Sequence, residues 1–264
     1  MIGSSAVYGQ NTTRDQLSGK EQKRLKKNYL LRQEENGDYI YDHEFEGGGR
    51  LNTNGWDGYI EYGKRKDQFV TNIFQLGFGE IKEPKEDKQP GATLGQDFYG
   101  NIYSAKSFVF GKENNFYQVK LAFGQRRLIG DKGNKNGVAV SAIYMGGVSI
   151  GLLKPYYLVL YDSTSRSLYE AKYSDANKGT FLNPGLIYAG ASMWKGWNEL
   201  TVVPGVHARL GMRFDWAQFN EFVSALEVGI NGDLYTKSIP IMVDNTAHQF
   251  FFNAYVSLLF GKRW

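Results

Sequence analysis

Few residues in this sequence have the types and spacing needed for a catalytic or metal centre. The three histidines, His43, His207 and His248, are far apart along the chain, and there is no cysteine. A metal site needs several converging ligands held by a second layer of hydrogen bonds. The histidine spacing supplies no such cluster, and thiolate chemistry is excluded. We therefore predict neither a metal site nor a cofactor.

One group of residues has the chemistry of a hydrolase. Hydrolases and acyltransferases need a nucleophile or base that a second polar group orients. The only such group we can assemble is His248 with Asn245, Thr246 and either Ser192 or Glu199. Because no Gly-x-Ser-x-Gly elbow accompanies it, we expect His248 to be a loop residue and the protein to be no enzyme. A lipid-modifying hydrolase or acyltransferase is the alternative.

Composition favours an all-β protein. The 264 residues include 32 Gly, 18 Tyr, 17 Phe and 5 Trp but only 6 Pro, which suits twisted strands with aromatic anchors. The net charge of +4 is mild, and charges are interspersed along the strands. This pattern does not resemble a nucleic-acid-binding face, so no nucleic-acid partner is expected.

Side chains alternate between apolar and polar from about Phe45 onward, which predicts strands with one apolar face. We expect about eight long antiparallel strands, and a further hairpin around residues 107–117 would raise the number to ten. The predicted strands are 55–63, 68–79, 116–129, 138–153, 155–169, 201–214, 221–232 and 249–264.

The apolar face is predicted to contact lipid. No run of roughly 18 apolar residues predicts a membrane helix, but a barrel strand crosses a bilayer with about 10 residues and exposes alternate side chains. The opposite face combines glycines with charges of both signs, as in a narrow polar lumen. We expect these charges to form a structural network in which Arg209 and Glu227 are one pair. A narrow passive pore is the weaker alternative, because side chains leave little room for water in so small a barrel. The predicted lumen residues are Asp57, Glu61, Lys120, Arg126, Arg209, Arg213 and Glu227.

Loop lengths predict an orientation. With eight strands, the longer loops 130–137, 172–200 and 233–248 fall on one side, which in bacterial barrels is the outside. Both termini would then lie in the periplasm. The long connection 80–115 would also be periplasmic.

The N-terminal region is expected to form two segments before the barrel of residues 44–264. Residues 1–9 resemble the end of a signal peptide. Residues 10–43 would be periplasmic, with a helix near 18–35 that starts at the capping box of Ser18 and Glu21. We expect docking at the basic helix, at the long connection 80–115 on the same side, and at the aromatic outer loop 172–200. The candidate docking residues are Lys20, Lys23, Arg24, Lys27, Tyr188, Trp194 and Trp197.

The last strand resembles the signal by which outer-membrane barrels are handed to the insertion machinery. Its outward residues are Val256, Leu258, Phe260 and the terminal Trp264, whereas Lys262 departs from the usual apolar residue. Together with the segments 79–86, 110–117, 153–156 and 260–264 (FGKRW), this strand resembles small, mostly uncharacterised outer-membrane barrel proteins of Bacteroidota. The resemblance covers residues 44–264 and implies location and architecture, without catalytic residues.

The sequence therefore predicts a closed transmembrane β-barrel of the outer membrane. We expect a non-catalytic anchor or accessory subunit of a larger outer-membrane complex for assembly, transport or secretion. Its expected partners are the outer-membrane lipid bilayer, other outer-membrane or periplasmic proteins, and the insertion machinery during biogenesis.

Overall fold

A computed structural model describes Arg24 and residues 42–96, 102–132, 137–217 and 222–264. Eight of its strands form a closed antiparallel barrel in which each strand pairs with the next and the last pairs with the first. This confirms the predicted all-β closed barrel of eight strands. The strands are β1 (His43–Asn52), β2 (Gly55–Arg65), β3 (Val70–Ile81), β4 (Asn114–Gly130), β5 (Ala139–Pro155), β6 (Thr201–Asp215), β7 (Phe222–Ile239) and β8 (His248–Arg263).

The predicted strand list contains two errors that cancel in the count. Strand β1 was missed because the glycines Gly47 to Gly49 interrupt its apolar alternation. The predicted strand 155–169 does not belong to the barrel, since β5 ends at Pro155 and residues 157–162 join a separate three-stranded sheet. The ten-strand alternative is wrong, because Phe108–Val109 pairs with Lys88–Gln89 outside the barrel.

These errors also reversed the predicted sides of the connections. The connections 82–113, 156–200 and 240–247 all leave the end of the barrel opposite the termini, whereas 131–138 lies at the same end as the termini. Residues 80–115 were predicted on the side of the termini and 130–137 on the other side, and both predictions are wrong. The added strand β1 changes the direction of every strand up to β5, which explains the reversal.

The short connections are fixed by local hydrogen bonds. Only Thr53 and Asn54 separate β1 from β2, and Gly55 follows, as in a tight hairpin. In the next connection the Asp67 carboxylate accepts hydrogen bonds from the backbone N–H of Phe69 and of Val70, both at 2.9 Å. Such side-chain acceptors stabilise a turn without help from the rest of the chain.

Three of the four connections at the end opposite the termini, 82–113, 156–200 and 240–247, fold together, and we call their described residues the cap. Backbone hydrogen bonds from Ala92 to Tyr188 and from Gly190 to Lys106 join the first two connections, and one from Val243 to Gly111 joins the third. The elements of the cap are the strands Lys88–Gln89, Thr93–Gln96, Ile102–Ser104, Phe108–Val109, Tyr157–Asp162, Ser167–Lys172 and Ile187–Gly190, the helix Lys178–Phe181, and the 3-10 turns Asp175–Asn177, Pro184–Leu186 and Trp197–Glu199.

The cap has an apolar core of its own. Phe108, from the connection between β3 and β4, packs against four apolar side chains from the connection between β5 and β6. These four are Leu158, Leu160, Phe181 and Ile187. The two connections therefore share one apolar core.

The barrel wall is apolar on the outside and polar on the inside. Outward-facing Phe74, Leu121 and Leu210 are each more than half exposed, whereas inward-facing Glu61 and Arg213 are each 1% exposed. This is the reverse of the distribution in water-soluble proteins. The outer face includes all seven side chains that alternation predicts to contact lipid, namely Trp56, Ile60, Tyr117, Leu121, Leu210, Val228 and Leu258.

In the described part of the chain, no helix has the length and apolar character needed to cross a membrane.

Candidate functional site

The interior nearest the termini is organised around Arg213. Its guanidinium contacts Glu46 at 2.6 Å, Glu61 at 2.7 Å and Glu227 at 3.0 Å, and all four side chains are almost completely buried. The strand register explains the arrangement, since Glu46 lies directly opposite Glu61 and Arg213 directly opposite Glu227. Like charges opposite each other on paired strands repel. Arg213 therefore supplies the positive charge that this pair of carboxylates requires.

A second pair of arginines extends the network to the open end of the barrel. Arg126 contacts Glu44 at 2.6 Å and Glu46 at 3.4 Å, while Arg263 contacts Glu44 at 3.2 Å and Asp215 at 2.7 Å. These residues come from β1, β4, β6 and β8. The ion pairs therefore connect β1 with β4 and β6 with β8, which are not neighbours in the barrel, and they also link the adjacent strands β1 and β8.

The middle of the lumen is filled by aromatic rings and arginines. The Arg50 guanidinium lies 4.5 Å from the centre of the Tyr59 ring and 4.8 Å from that of Tyr255, and it contacts Asp57 at 3.0 Å. Cations over aromatic faces are attracted by the ring quadrupole. The Tyr255 hydroxyl donates a 2.7 Å hydrogen bond to Glu227, which links this layer to the ion pairs around Arg213.

Inward-facing glycines make room for these rings. A Cβ on Gly48 would lie 2.8 Å from the Tyr59 ring, and one on Gly151 would lie 2.7 Å from the Phe116 ring. Carbon atoms at these distances overlap, so larger residues would push the rings out of place. Glycine on one strand thus allows an aromatic ring from another strand to cross the lumen.

An apolar cluster closes the lumen beneath the cap. Phe116 meets the edge of the Tyr235 ring with the centroids 5.1 Å apart, and Phe251 lies 5.7 Å from Phe116. The Tyr235 hydroxyl donates to Gln118 at 3.0 Å, and just below this level Lys120 contacts Asp233 at 2.7 Å. The whole cluster consists of Ile81, Phe116, Leu153, Val203, Tyr235, Ile239, Ile241 and Phe251.

The seven lumen residues named from the sequence all face the interior. They are Asp57, Glu61, Lys120, Arg126, Arg209, Arg213 and Glu227. The structure brings Glu61, Arg213 and Glu227 together in one cluster. The expected partners Arg209 and Glu227 are 3.7 Å apart, whereas Arg213 is closer to Glu227, and Arg209 donates to Gln75 at 3.1 Å.

Several interior charges were missed from the sequence. Glu44, Glu46 and Arg50 belong to β1, whose alternation was not recognised. Arg263 lies on a strand that was recognised, and it shares a face with the inward residues of that strand. Continuing the alternation to the end of the strand would have found it, just as the alternation of β6 places Asp215 on the face of Arg209 and Arg213.

The candidate hydrolase residues are not assembled into a site. Asn245 accepts a hydrogen bond from Lys85, Glu199 accepts from Tyr157 and Lys172, and the Ser192 hydroxyl accepts from the Trp194 backbone. None of these described residues, nor Thr246, forms a hydrogen bond with the His248 side chain. Within the described ranges, no three side chains of His, Cys, Asp or Glu form a group that could hold a metal ion.

The candidate docking residues are divided between described and undescribed segments. Lys20, Lys23 and Lys27, and the predicted helix 18–35 apart from Arg24, lie outside the described residues, as does the predicted signal segment 1–9. Arg24 is helical and exposed.

The aromatic candidates are in the cap. Tyr188 is half-buried, Trp194 is 78% exposed, and the Trp197 ring stacks on Tyr117 with the centroids 5.5 Å apart. Tyr188 and Trp197 therefore have structural contacts within the protein, whereas Trp194 projects into the surroundings.

Glu199 fixes this part of the cap by electrostatics. Hydrogen bonds from Lys172, at 2.6 Å, and from Tyr157, at 2.7 Å, lower the pKa of the Glu199 carboxyl below its usual 4.5. The same bond raises the pKa of the Tyr157 phenol to about 12. Because the Glu199 pKa is lower in the folded than in the unfolded chain, ionised Glu199 stabilises the fold when the pH is above the pKa of the unfolded chain. This contribution is lost as the pH falls through the lowered pKa of the folded protein.

The candidate assembly residues lie on the outer face of β8. Val256, Leu258, Phe260 and Trp264 are each about half exposed. Strand β8 closes the barrel by pairing with β1 from Glu44 to Asn52, and the backbones of Trp264 and His43 exchange hydrogen bonds of 2.9 and 3.0 Å. The terminal residue thus belongs to the barrel seam.

Comparison with known proteins finds similarity of fold only. The sequence matches no protein-family model, and no curated protein matches it. The N-terminal β-barrel domain of Pseudomonas aeruginosa OprF has 8% identity and a TM-score of 0.37 over 83% of this chain and 96% of that one. Neisserial surface protein A has 7% identity and a TM-score of 0.39 over 84% of this chain and 96% of that one. A major outer membrane protein from Thermus thermophilus has 9% identity and a TM-score of 0.40 over 83% of this chain and 99% of that one. Identity this low carries no information on activity.

Replacement of Arg213 by glutamine is expected to destabilise the barrel by about 3–5 kcal/mol, because three buried carboxylates lose their shared cation. The double variant with Glu227→Gln should be less destabilised, since one of those carboxylates is then neutral. Reversible unfolding in urea measures both free energies. Lys195→Gln, which breaks an exposed pair with Glu170, is the control and should cost at most about 1 kcal/mol. A cost that small for Arg213→Gln would contradict the role assigned to this network.

Proposed function

We propose that this protein is an outer-membrane β-barrel that anchors a folded extracellular cap and serves as a non-catalytic accessory subunit of a larger outer-membrane assembly. The observation that carries the membrane location is the reversed distribution of side chains. Exposed apolar residues cover the outside of the wall, and paired charges fill the inside. Only a surrounding lipid phase makes such a wall favourable.

The height of the apolar band supports a bilayer. On β4 the outward side chains from Tyr117 to Phe123 are apolar or aromatic, and Gln125 and Arg127 follow toward the termini. Gln125 donates to Asn72 and accepts from Tyr144, which satisfies polar groups at the edge of the band. On β8 the outward side chains are apolar from Phe250 to Phe260. With about 3.3 Å per residue and a strand tilt of about 40°, this stretch has roughly the 25 Å height typical of such barrels.

Loop lengths support an orientation with both termini in the periplasm. The connections at the end of the termini comprise residues 66–69, 131–138 and 216–221, whereas two of those at the other end comprise 82–113 and 156–200. Bacterial barrels have short periplasmic turns and longer extracellular loops. The cap is therefore extracellular in this proposal, and the connection 82–113 belongs to it.

The filled interior argues against transport of solutes through the barrel. Two layers of ion pairs and aromatic rings occupy the lumen, and the apolar cluster around Phe116 and Tyr235 closes it beneath the cap. Eight-stranded barrels have an interior just wide enough for side chains to fill. A barrel of this kind is suited to hold a structure at the membrane surface.

The cap offers an edge at which a partner can bind. Strand Ser167–Lys172 pairs with Tyr157–Asp162 on one side only and lies at the edge of its sheet. It is exposed along nearly its whole length, including Leu168 and Tyr169. Free edges accept an extended segment from another chain through backbone hydrogen bonds. We propose that another outer-membrane protein docks on this edge.

Replacement of Leu121 by arginine should cost about 2–4 kcal/mol in a bilayer, because it places a charge in the middle of the apolar band. Ile129→Arg is the matched control on the same strand. Since Ile129 lies beyond Gln125 and Arg127, its cost should be about 0–1 kcal/mol. Reversible folding into lipid vesicles measures both variants. Equal, small costs would mean that the outer wall does not face lipid.

Single-cysteine variants test both the orientation of the barrel in the membrane and the binding of a partner at the edge strand, because the chain has no cysteine of its own. Leu168→Cys in intact cells should react with a membrane-impermeant maleimide that carries a photo-crosslinker. Illumination should then give one defined product with another outer-membrane protein. Asp67→Cys, in the connection between β2 and β3, should react only after the outer membrane is permeabilised.

Thr246→Cys, exposed on another part of the cap, is the control and should be labelled without forming that product. Labelling of Asp67→Cys but not Leu168→Cys in intact cells would contradict the orientation. Labelling of Leu168→Cys without any specific product would contradict the accessory role and leave the barrel orientation intact.

A further inference from the structure

A segment of the cap lies against the outer wall of the barrel. The Trp197 ring stacks on Tyr117 with a centroid distance of 5.5 Å and an angle of 15°, and Tyr117 stacks on Phe78 at 6.0 Å and 15°. Tyr117 and Phe78 face outward from β4 and β3. The segment Ser192–Trp197 of the cap therefore contacts the apolar outer wall of the barrel through Trp197.

The level of this contact is the edge of the apolar band. The strand register places Trp56, Glu80, Tyr117, Leu152 and Val202 side by side on adjacent strands. The Trp56 indole donates to the Glu80 carboxylate at 3.3 Å, and Lys82 lies 3.7 Å from the same carboxylate. Tryptophan and tyrosine beside charged groups are typical of the boundary between headgroups and acyl chains.

Internal contacts hold the segment in place. The buried Lys154 ammonium donates to the Met193 carbonyl and lies 5.2 Å from the centre of the Trp197 ring. The Trp197 indole donates to the same carbonyl at 3.2 Å. Gly196 has a φ of 87°, a left-handed conformation that glycine adopts readily. The chain can therefore reverse here, with Trp197 against the wall and Trp194 on the other side of the turn.

Two large apolar side chains of this fixed segment have no cover. Trp194 is 78% exposed and Met193 is 69% exposed. An ordered segment that exposes such side chains normally binds something. Charged pairs flank them, since Lys195 contacts Glu170 at 2.8 Å and Lys172 contacts Glu199 at 2.6 Å. An apolar tip between charged groups, continuous with a wall that faces lipid, matches the headgroup boundary of a bilayer.

We propose that the segment Ser192–Trp197 is an interfacial anchor that inserts Trp194 and Met193 into the headgroup region of the outer leaflet. This inference rests on the proposed membrane barrel. The anchor fixes the cap to the bilayer beside β4 and β5, and the pair between Lys195 and Glu170 links it to the edge strand Ser167–Lys172. The fixed turn lowers the entropy cost of insertion, because the side chains are ordered before they meet lipid.

Spin labels at single cysteines test the proposal in the full-length protein. Purified variants are reconstituted in vesicles of phosphatidylcholine and phosphatidylglycerol, and relaxation by oxygen is compared with relaxation by a water-soluble nickel chelate. The label at Trp194→Cys should show an oxygen-to-nickel ratio several-fold above that at Thr164→Cys, on the exposed turn between residues 162 and 167. It should stay below the ratio at Leu258→Cys on the lipid-facing wall.

The reference positions separate the possible failures. A nickel-accessible label at Trp194→Cys, together with an oxygen-accessible label at Leu258→Cys, would overturn the anchor and leave the membrane barrel standing. A nickel-accessible label at Leu258→Cys would overturn the proposed function itself. Because these vesicles contain no other protein, a Trp194 that serves a protein partner would remain in water and would count against the anchor.

A second measurement avoids the cysteine. In vesicles with lipids brominated near the headgroups, Trp194→Phe should lose a quenchable part of the tryptophan fluorescence of the wild-type protein. Trp216→Phe removes an exposed indole at the end of the termini. It controls for the loss of one tryptophan and should keep the quenching by outer-leaflet bromine that the wild-type protein shows. Equal quenching of wild type and Trp194→Phe by outer-leaflet bromine would overturn the proposal.

Discussion

The barrel depends on one buried cation that three carboxylates share. Arg213 joins Glu46 and Glu61 on one side of the lumen to Glu227 on its own side. Ions buried in a narrow space are tolerated only when each is paired and hydrogen-bonded. Because these four residues come from β1, β2, β6 and β7, the pairing also requires a closed barrel of this diameter. The pairing of these buried charges and the closure of the barrel therefore depend on each other.

Because side chains fill the lumen, we expect the function of this protein to lie at its surface. The rings of Tyr59 and Tyr255 occupy the middle of the barrel, and the cluster around Phe116 closes the end beneath the cap. The cap has a separate core that two connections share, so it is built as a structure with its own stability. The closed barrel and the folded cap are the features on which the proposed anchoring role rests.

The sequence predicted the parts of the fold that depend on local alternation. Strands β6 and β8 were found because apolar and polar residues alternate along them, and the same alternation identified Arg213, Glu61 and Glu227 as inward-facing. Strand β1 was missed because Gly47 and Gly49 interrupt the apolar residues of its outer face between Phe45 and Leu51, and Glu44 and Glu46 were missed with it. Alternation gives the face of a residue but not its partner across the lumen, so Arg213 could not be distinguished from Arg209. The core of the cap joins Phe108 to residues far along the chain, and no local pattern reports such contacts.

Conductance across a planar lipid bilayer tests the central claim most directly, namely that paired charges and aromatic rings close the lumen. The purified full-length protein is inserted at high salt concentration, and its insertion is verified independently by protection of the barrel from protease. The account predicts that the inserted wild-type protein gives no steady conductance at any applied voltage of either sign. Stable open channels with a conductance proportional to voltage would contradict it, because they would require a continuous water-filled path past Arg213 and Phe116.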